Sequence, residues 1–306
     1  MTIQNFAQLL ETALQHAPKR VTIIGAGQRQ TLHAVRIARG MGLAECILFD
    51  EPERLESIAQ EQGIDLTGMK IIDEGDMVRA AYRAVEMIHA DKADILMNGR
   101  ALPAEMMRAA LDREKGLRIG KLLTDVSIFE IPDFDRLIFV SDVGMIVTPT
   151  LAQKVAIVQN AIDTAIELGV ERPRVAILAA SEMVNPEMSA NMDAANLSKM
   201  AERGQIRGGI VDGPLAIDNA ISLKAAQMKG IRSEVAGRAD ILITPDVESG
   251  NILAKAITCF ARGRMAGAVV GAKCPIVMPS RSDPPEQKML SMALGIYLSR
   301  RVRPSV

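Results

Sequence analysis

Residues able to bind and polarise an anion follow a short apolar run near the C-terminus. Pro275-Ile-Val-Met-Pro279 leads into Ser280-Arg281-Ser282-Asp283, and Glu286 follows three residues later. An arginine holds phosphate in a bidentate manner and neutralises charge that develops beside it. A carboxylate nearby can accept a proton when burial brings its pKa towards neutrality. Ser280, Arg281, Asp283 and Glu286 are therefore candidate catalytic residues, with a loop that only caps the last helix as the alternative.

Two other apolar runs end in a comparable way. Ile241-Leu-Ile-Thr244 leads into Pro245-Asp-Val-Glu-Ser-Gly-Asn251, where a helix is predicted to begin with Ser249 or Asn251 as its N-cap. Free N–H groups at such a helix start can bind an anion. The other junction is Val211-Asp-Gly-Pro-Leu-Ala-Ile-Asp218. Because ligands of α/β proteins bind where strands end, the three loops predict one cleft. Its candidate substrate-binding residues are Asp212, Asp246, Glu248, Gly250 and Asn251.

The carboxylates of these loops also fit a second chemistry. Asp212, Asp218, Asp246 and Glu248 can chelate Mg²⁺, as in metal-assisted decarboxylating dehydrogenases. Gly25-Ala-Gly27 follows a predicted strand, as a dinucleotide-binding turn does, but the fingerprint requires a third glycine where this chain has Gln30. An Mg²⁺- and NAD(P)-dependent dehydrogenase is therefore kept as an alternative function, although capping of helix ends is the commoner use of such acids.

Composition argues against several classes of protein. A formal net charge of −1 lacks the basic surface of a nucleic-acid-binding protein, and two Tyr, six Phe and no Trp offer few rings for base stacking. The most apolar run, 265–279, is too short to span a bilayer, and the first residues do not resemble a signal peptide.

The three cysteines have no disulfide or metal-binding spacing and predict a reduced, cytoplasmic protein. The three histidines fall in or beside helical patterns, which argues against a Ser-His-Asp triad.

The elements that must position these residues alternate between strands and helices. Strands are predicted at 21–24, 45–49, 69–72 and 93–97, with helices between them, the pattern of a doubly wound parallel sheet. Two adjacent strands at 123–130 and 136–140 interrupt this alternation, and an amphipathic helix covers 151–168. Further strands are predicted at 175–179, 207–211, 241–244 and 266–270. We therefore predict an α/β protein with a discontinuous first domain, 1–141 plus 274–306, and a second domain, 142–273.

Five motifs in this order resemble the phosphate acetyltransferase/phosphate butyryltransferase family, most closely its phosphotransbutyrylase-like branch. They are Ala179-Ala-Ser-Glu-Met-Val-Asn185, Lys199-Met-Ala-Glu-Arg-Gly-Gln-Ile206, Val211-Asp-Gly-Pro-Leu-Ala-Ile-Asp-Asn-Ala220, Pro245-Asp-Val-Glu-Ser-Gly-Asn-Ile-Leu-Ala-Lys255 and Pro279-Ser-Arg-Ser-Asp283. The likeness extends from about Ala93 to the C-terminus. It implies two doubly wound α/β domains with the active cleft between them, similar to isocitrate/isopropylmalate dehydrogenases.

The resemblance implies reversible acyl transfer, in which acyl-CoA and phosphate give acyl phosphate and CoA within a ternary complex. CoA and acyl-CoA are then substrates, no cofactor or metal is permanently bound, and a homo-oligomer, dimeric or dimer-based, is expected. By motif, Ser280 is expected to position the CoA thiol and Arg281 to hold phosphate or acyl phosphate. The family's acid after this pair corresponds to Gln287 here, which leaves Asp283 and Glu286 as candidate bases.

The resemblance also concerns residues nearer the N-terminus. Arg108 resembles an arginine implicated in binding the anionic cofactor, and Arg118 matches a Gly-Leu-Arg turn of the branch. Asn98-Gly99, a further candidate for substrate binding, stands where the branch usually has Lys-Gly, and Thr124-Asp125 stands where it has Ser-His. The loss of a cation and a histidine beside an anionic site can weaken phosphate binding or change the acyl preference. A non-catalytic protein that binds CoA or acyl phosphate is therefore a third interpretation.

Overall fold

The computed structural model describes residues 2–299, which form two compact units. Unit I comprises Phe6–Lys121 and the chain from Ala266 onward, and unit II comprises Leu122–Met265 with the residues before Phe6. The chain therefore leaves unit I once and returns to it. The predicted domains, 1–141 plus 274–306 and 142–273, stay a prediction.

Strands and helices alternate along most of the chain, which confirms the predicted α/β class. The first elements of unit I are α1 (Phe6–Leu14), β1 (Lys19–Ile24), α2 (Arg29–Gly40), β2 (Ala44–Asp50), α3 (Pro52–Gln62), β3 (Lys70–Asp73), α4 (Met77–His89), β4 (Ile95–Asn98) and α5 (Pro103–Ala110). Those of unit II are β5 (Thr124–Glu130), β6 (Ile138–Ser141), α6 (Leu151–Glu167), β7 (Arg174–Leu178), α7 (Ser189–Glu202), β8 (Ile210–Leu215), α8 (Ile217–Ile221), α9 (Leu223–Met228), β9 (Ile241–Ile243) and α10 (Val247–Cys259). The chain re-enters unit I through β10 (Arg264–Val270), β11 (Ile276–Val277) and α11 (Pro285–Leu298).

The strands of unit I follow the order β3-β2-β1-β4-β11-β10. The first five are parallel, and β10 runs antiparallel to β11. Ile24 of β1 pairs with Asn98 of β4, and Met97 of β4 pairs with Val277 of β11. The carboxyl ends of β1, β4 and β11 therefore lie side by side, where ligand-binding loops of open α/β sheets gather. The loops that follow these three strands, including Ser280, share that edge.

The strands of unit II follow the order β5-β6-β9-β7-β8, in which only β5 is antiparallel to its neighbour. Leu242 of β9 pairs with Val140 of β6 on one side and with Ala176 of β7 on the other. The loops after β6, β7 and β9 therefore also share one edge. Helices pack on these strands, and the buried side chains of this core include Phe129, Val140, Leu178, Leu242, Ala254 and Ile257.

Local sequence explains where the helices begin and end. Pro52 starts α3, where its missing N–H costs nothing, and Gly63 ends it with a φ of 61° that favours glycine. Asp76 caps α4 by accepting the N–H groups of Val78 and Arg79. None of the helices within residues 2–299 combines the length and the apolar composition needed to cross a bilayer.

Two boundaries in unit II differ from the predictions. The helix predicted to start at Ser249–Asn251 starts at Val247, because Asp246 takes the N-cap position. The predicted strand 207–211 instead covers Ile210–Leu215, so Asp212 lies within a strand and not in the loop after it. After β8 the chain forms two short helices, because Ser222 ends α8 and caps α9.

Gly99 provides a test of the contact between the loops after β1 and β4. A Cβ at Gly99 would overlap the carbonyl group of Gly25, and neither backbone can move away by a rotamer change. We expect Gly99→Ala to lower the free energy of unfolding by about 3 kcal/mol or more. Gly40→Ala, at the end of α2 with open space around it, is expected to raise it by roughly 0.5 kcal/mol. Denaturant unfolding measures both, and an unchanged midpoint for Gly99→Ala would contradict the packing described.

Candidate active site

A buried carboxylate closes the Ser280–Asp283 loop. The N–H of Ser280 donates to Asp283 Oδ2 at 2.8 Å, and the N–H of Asp283 donates to the Ser280 carbonyl oxygen at 3.1 Å. The hydroxyl groups of Ser280 and Ser282 lie 3.0 Å apart. Asp283 is 4% exposed, whereas Arg281 and Glu286 are exposed. The structure thus brings Ser280, Arg281 and Asp283 together, with the guanidinium accessible and the Asp283 carboxylate turned inward.

A lysine that the sequence analysis missed lies behind this loop. Lys288 of α11 is fully buried, and its Nζ donates to the Ser280 carbonyl oxygen at 2.8 Å. Burial lowers the pKa of Lys288 to about 8, against the attraction of the Asp283 carboxylate. The sequence did contain a signal: Lys288 lies four residues before Met292 and eight before Ile296, and so falls on an apolar helix face, where lysine is rare.

The glycine turn after β1 is filled by an ion pair. The fully buried Asp50 accepts the Gly27 N–H at 2.8 Å and two bonds from Arg100 at 2.9 and 2.6 Å. Burial would raise the pKa of Asp50, but these hydrogen bonds lower it overall. A Cβ at Gly25 would lie 2.6 Å from Arg100 Cγ, so the glycine makes room for that side chain. Because a carboxylate of the chain already accepts the Gly27 N–H, the turn does not favour the dinucleotide interpretation.

Neighbouring side chains connect the loops at this edge of unit I. The amide of Gln28, just after the glycine turn, donates to the Arg281 carbonyl oxygen at 3.0 Å. Asn98 at the end of β4 is 3% exposed, and its Nδ2 donates to the Ala101 carbonyl oxygen at 3.1 Å. Its Oδ1 is buried and accepts no hydrogen bond within the part of the chain that the structure describes. Asn98 is therefore turned into the protein, and its role in substrate binding stays a prediction.

The two arginines expected to bind the cofactor lie elsewhere on unit I. Arg108 is exposed in the last turn of α5. Arg118 is also exposed and forms a β-bridge with Ala272. Since Ala272 precedes β11 and Ser280 follows it, Arg118 lies at the other end of that strand. Both roles stay predictions.

In unit II, the Asp246 carboxylate occupies the N-terminus of α10. It accepts the N–H of Ser249 at 2.8 Å and the hydroxyl of Ser249 at 2.7 Å, and these bonds lower the pKa of Asp246. The N–H of Val247 donates to the Val147 carbonyl oxygen, and that of Gly250 to the Asp246 carbonyl oxygen. The prediction of free N–H groups for an anion here is therefore wrong, because the chain supplies its own acceptors.

The other candidate residues of unit II have varied surroundings. Gly250 is buried, and a Cβ there would overlap the Asp142 carbonyl oxygen. Glu248 and Asn251 are exposed on α10. Asp212 is partly exposed, and its Oδ1 accepts the N–H of the next residue at 2.8 Å. As with Asp246, no observation tests their roles in substrate binding, which stay predictions.

The predicted alternative of a metal site has little support from these carboxylates. Asp218 pairs with Lys229 at 3.3 Å, and Asp246 caps α10. Among residues 2–299, no group of three or more His, Cys, Asp or Glu side chains is arranged to hold a metal ion.

The carboxylates of Asp125, near the start of β5, and Asp142, just after β6, lie close enough for their charges to interact. Asp142 is 2% exposed and accepts the N–H groups of Gly144 and Met145 at 3.0 Å each. Burial first, and then the charge of Asp142, raise the pKa of Asp125 to about 7, although the Ser127 hydroxyl donates to Asp125 at 2.9 Å. Asp125 stood out in the sequence only as a departure from the family pattern. Its partner is brought close by antiparallel pairing of β5 with β6, which spacing along the chain does not reveal.

Comparison with known proteins agrees with this architecture. A family model described as phosphate acetyl/butaryl transferase matches residues 75–296. Phosphate butyryltransferase of Clostridium acetobutylicum is 41% identical over 297 residues, covering 97% of this chain and 99% of that protein. Phosphate acetyltransferase of Thermotoga maritima is 42% identical over 277 residues, covering 90% and 94%. The crystal structure of a branched-chain phosphotransacylase from Enterococcus faecalis V583 matches with a TM-score of 0.82 at 29% identity, covering 92% of this chain and 99% of that one.

The fold is that of an α/β phosphate acyltransferase. The chain belongs to the phosphate acetyl/butyryl transferase family. The resemblance noted in the sequence is thereby confirmed, as is the fold class that it implied. The dehydrogenase alternative is not favoured.

The Asp125–Asp142 pair predicts an unusual dependence of stability on pH. An unfolded aspartate has a pKa of about 3.9, so the folded chain binds a proton at Asp125 more tightly than the unfolded chain does. The free energy of unfolding should therefore fall as pH rises from about 4 to about 7, and change no further through this group. Asp125→Asn removes the penalty and should gain roughly 2–3 kcal/mol more at pH 8 than at pH 5.

Denaturant unfolding of both proteins at the two pH values measures this difference. Asp133→Asn, at an exposed turn of unit II, is the matched control and should change stability equally at both values. A gain for Asp125→Asn that does not depend on pH would contradict the raised pKa.

Proposed function

We propose that this protein catalyses reversible transfer of a short acyl group between CoA and inorganic phosphate. Acyl-CoA and phosphate would give acyl phosphate and CoA, with both substrates bound at once. Family membership supports this reaction class, and the relatives named above bear acetyl, butyryl and branched-chain acyl names. The proposed substrate class is accordingly short acyl-CoA thioesters.

The observation that carries the proposal is the geometry of the Ser280–Arg281 turn. The main chain of Ser280 is fixed on both sides by Asp283 and Lys288, while the side chain of Arg281 is exposed. An accessible guanidinium can bind phosphate, and a hydroxyl group beside it, on a main chain held in place, can donate to a thioester.

The proposed step moves one acyl group between two nucleophiles. A phosphate oxygen attacks the thioester carbonyl carbon, the C–S bond breaks, and CoA leaves as a thiolate that then takes a proton. Arg281 is proposed to neutralise the phosphate and the negative charge that develops on the carbonyl oxygen. Ser280 is proposed to donate a hydrogen bond to the sulfur, since an alkyl thiol with a pKa of about 8.5 leaves more readily when its thiolate is stabilised. Holding both substrates adjacent supplies much of the remaining rate.

Arsenolysis of acyl-CoA, in which arsenate replaces phosphate as the acyl acceptor, tests the forward reaction alone. The wild type is expected to release CoA from acetyl-, propionyl- or butyryl-CoA when arsenate replaces phosphate. Arg281→Ala should lower kcat/KM by about 10²-fold or more, because the charge of the transition state then lacks its cation. Release of CoA is followed with a thiol reagent.

The control is Arg36→Ala, which removes an exposed arginine from α2. It should leave kcat/KM within about twofold of the wild type. Wild-type protein that releases no more CoA than Arg281→Ala with every short acyl-CoA would refute the proposed function. CoA binding without turnover would support the non-catalytic interpretation instead.

We also propose that the protein functions as a homo-oligomer, dimeric or dimer-based. Large apolar side chains are exposed on unit II, with Phe260 88%, Met228 79% and Ile252 69% exposed. Such side chains are typical of surfaces that become buried on association. Light scattering coupled to size exclusion should give at least twice the 33.0 kDa of one chain, and a monomer at micromolar concentration would contradict the proposal.

The three cysteines support the proposed cytoplasmic location. Cys46, Cys259 and Cys274 are free thiols, as expected in a reducing compartment.

A further inference from the structure

We propose that Lys288 and Asp283 are positioning residues that hold Ser280 in the orientation needed for acyl transfer. The inference rests on the proposed function, because that function assigns Ser280 to the reacting sulfur. It changes the expected role of Asp283 from a base to a residue that acts through Ser280, and it adds Lys288, which no motif indicated.

The two side chains fix both peptide groups that flank the Ser280 Cα. Asp283 accepts the Ser280 N–H at 2.8 Å, which sets the peptide before Ser280. Lys288 Nζ donates to the Ser280 carbonyl oxygen at 2.8 Å, which sets the peptide after it. With both peptide planes held, the direction of the Ser280 Cα–Cβ bond is determined, and so is the point from which Arg281 extends.

A contribution to the free energy of unfolding does not by itself explain the charges of Lys288 and Asp283. Lys288 is fully buried and Asp283 is 4% exposed, so both lose solvation. Two opposite charges buried near each other often contribute no more to stability than apolar side chains of the same volume, yet removing one of them leaves a costly lone charge. Met289 and Met292 beside Lys288 show that apolar side chains fit this part of α11. A function for Lys288 in holding the loop explains why a lysine stands there.

The lysine reaches the loop from an anchored helix. Most of that helix is buried, including Met289, Met292 and Ile296. On the other side of the loop, β11 pairs with β4. Ser280 is therefore held from rigid elements, which is the arrangement that keeps reacting groups in place.

Three variants separate positioning from a general effect on folding. Lys288→Met removes the donor and leaves the Asp283 carboxylate buried. The double variant Asp283→Leu with Lys288→Met removes both charges at similar volume and is the form expected to stay folded if the single variant does not. Ser291→Ala is the matched control, because it removes the 3.1 Å hydrogen bond from the Gly267 N–H of β10 to Ser291 Oγ, which does not involve the loop.

Thermal unfolding, arsenolysis and amide hydrogen exchange are measured for each variant. Both variants of Lys288 should lose about 10²-fold in kcat while KM for acyl-CoA changes less than about threefold, as for misplaced reacting groups. Exchange of the amides in 280–283 should accelerate in both. The double variant should recover the Tm lost by Lys288→Met but not the kcat, and Ser291→Ala should lose Tm but keep kcat.

Wild-type kcat and wild-type exchange in a folded Lys288 variant would overturn the proposal, as would a double variant that regains full kcat together with its Tm. The exchange measurement does not depend on catalysis. Wild-type protein without arsenolysis would refute the proposed function, while the amides of 280–283 would still decide whether Lys288 holds the loop.

Discussion

Parallel pairing of β4 with β1 on one side and β11 on the other is the constraint on which the site in unit I depends. The registers Ile24–Asn98 and Met97–Val277 make three strands end at one level, so three loops distant in the sequence become neighbours. Because the three strands end at the same level, Gly99 lies close to the Gly25 carbonyl group. For the same reason the Gln28 amide can donate to the Arg281 carbonyl oxygen. A shift of β11 by one residue would turn its side chains to the opposite faces and displace the loop that carries Ser280.

Charges at this edge are arranged so that Arg281 is exposed to the solvent. Arg100 is committed to the fully buried Asp50 through two hydrogen bonds, and Lys288 is buried against the Ser280 carbonyl and Asp283. Arg281 is exposed on the same loop that these groups hold. An anion that approaches this loop can therefore bind the Arg281 guanidinium. The neighbouring cations, Arg100 and Lys288, already have acceptors within the chain, and the anion does not have to displace those acceptors.

The sequence was sufficient for the features that depend on local pattern, and insufficient for those that depend on long-range pairing. Alternating apolar runs indicated the βαβ order, and five ordered motifs, with the Ser280–Asp283 loop among them, indicated the family. The helix start at Val247 was misplaced because Asp246, Ser249 and Asn251 are all good N-caps, and only the surrounding backbone decides among them. The approach of Asp142 to Asp125 was not predictable, since it follows from strand pairing, whereas Lys288 was visible as a lysine on an apolar helix face.

The two departures from the family pattern bear on whether the protein turns over substrate. Asn98 replaces a usual lysine, but its side chain points inward to Ala101, so the substitution removes a cation without adding a new polar group to the surface. Asp125 replaces a usual histidine, whose ordinary pKa is about 6.5. Because burial and Asp142 bring the pKa of Asp125 to about 7, the carboxyl group exchanges its proton in nearly the same pH range as an imidazole would. The substitution therefore keeps a group that can accept or donate a proton near neutrality, but this group is neutral or negative where an imidazole would be positive or neutral. Neither change by itself favours a non-catalytic protein.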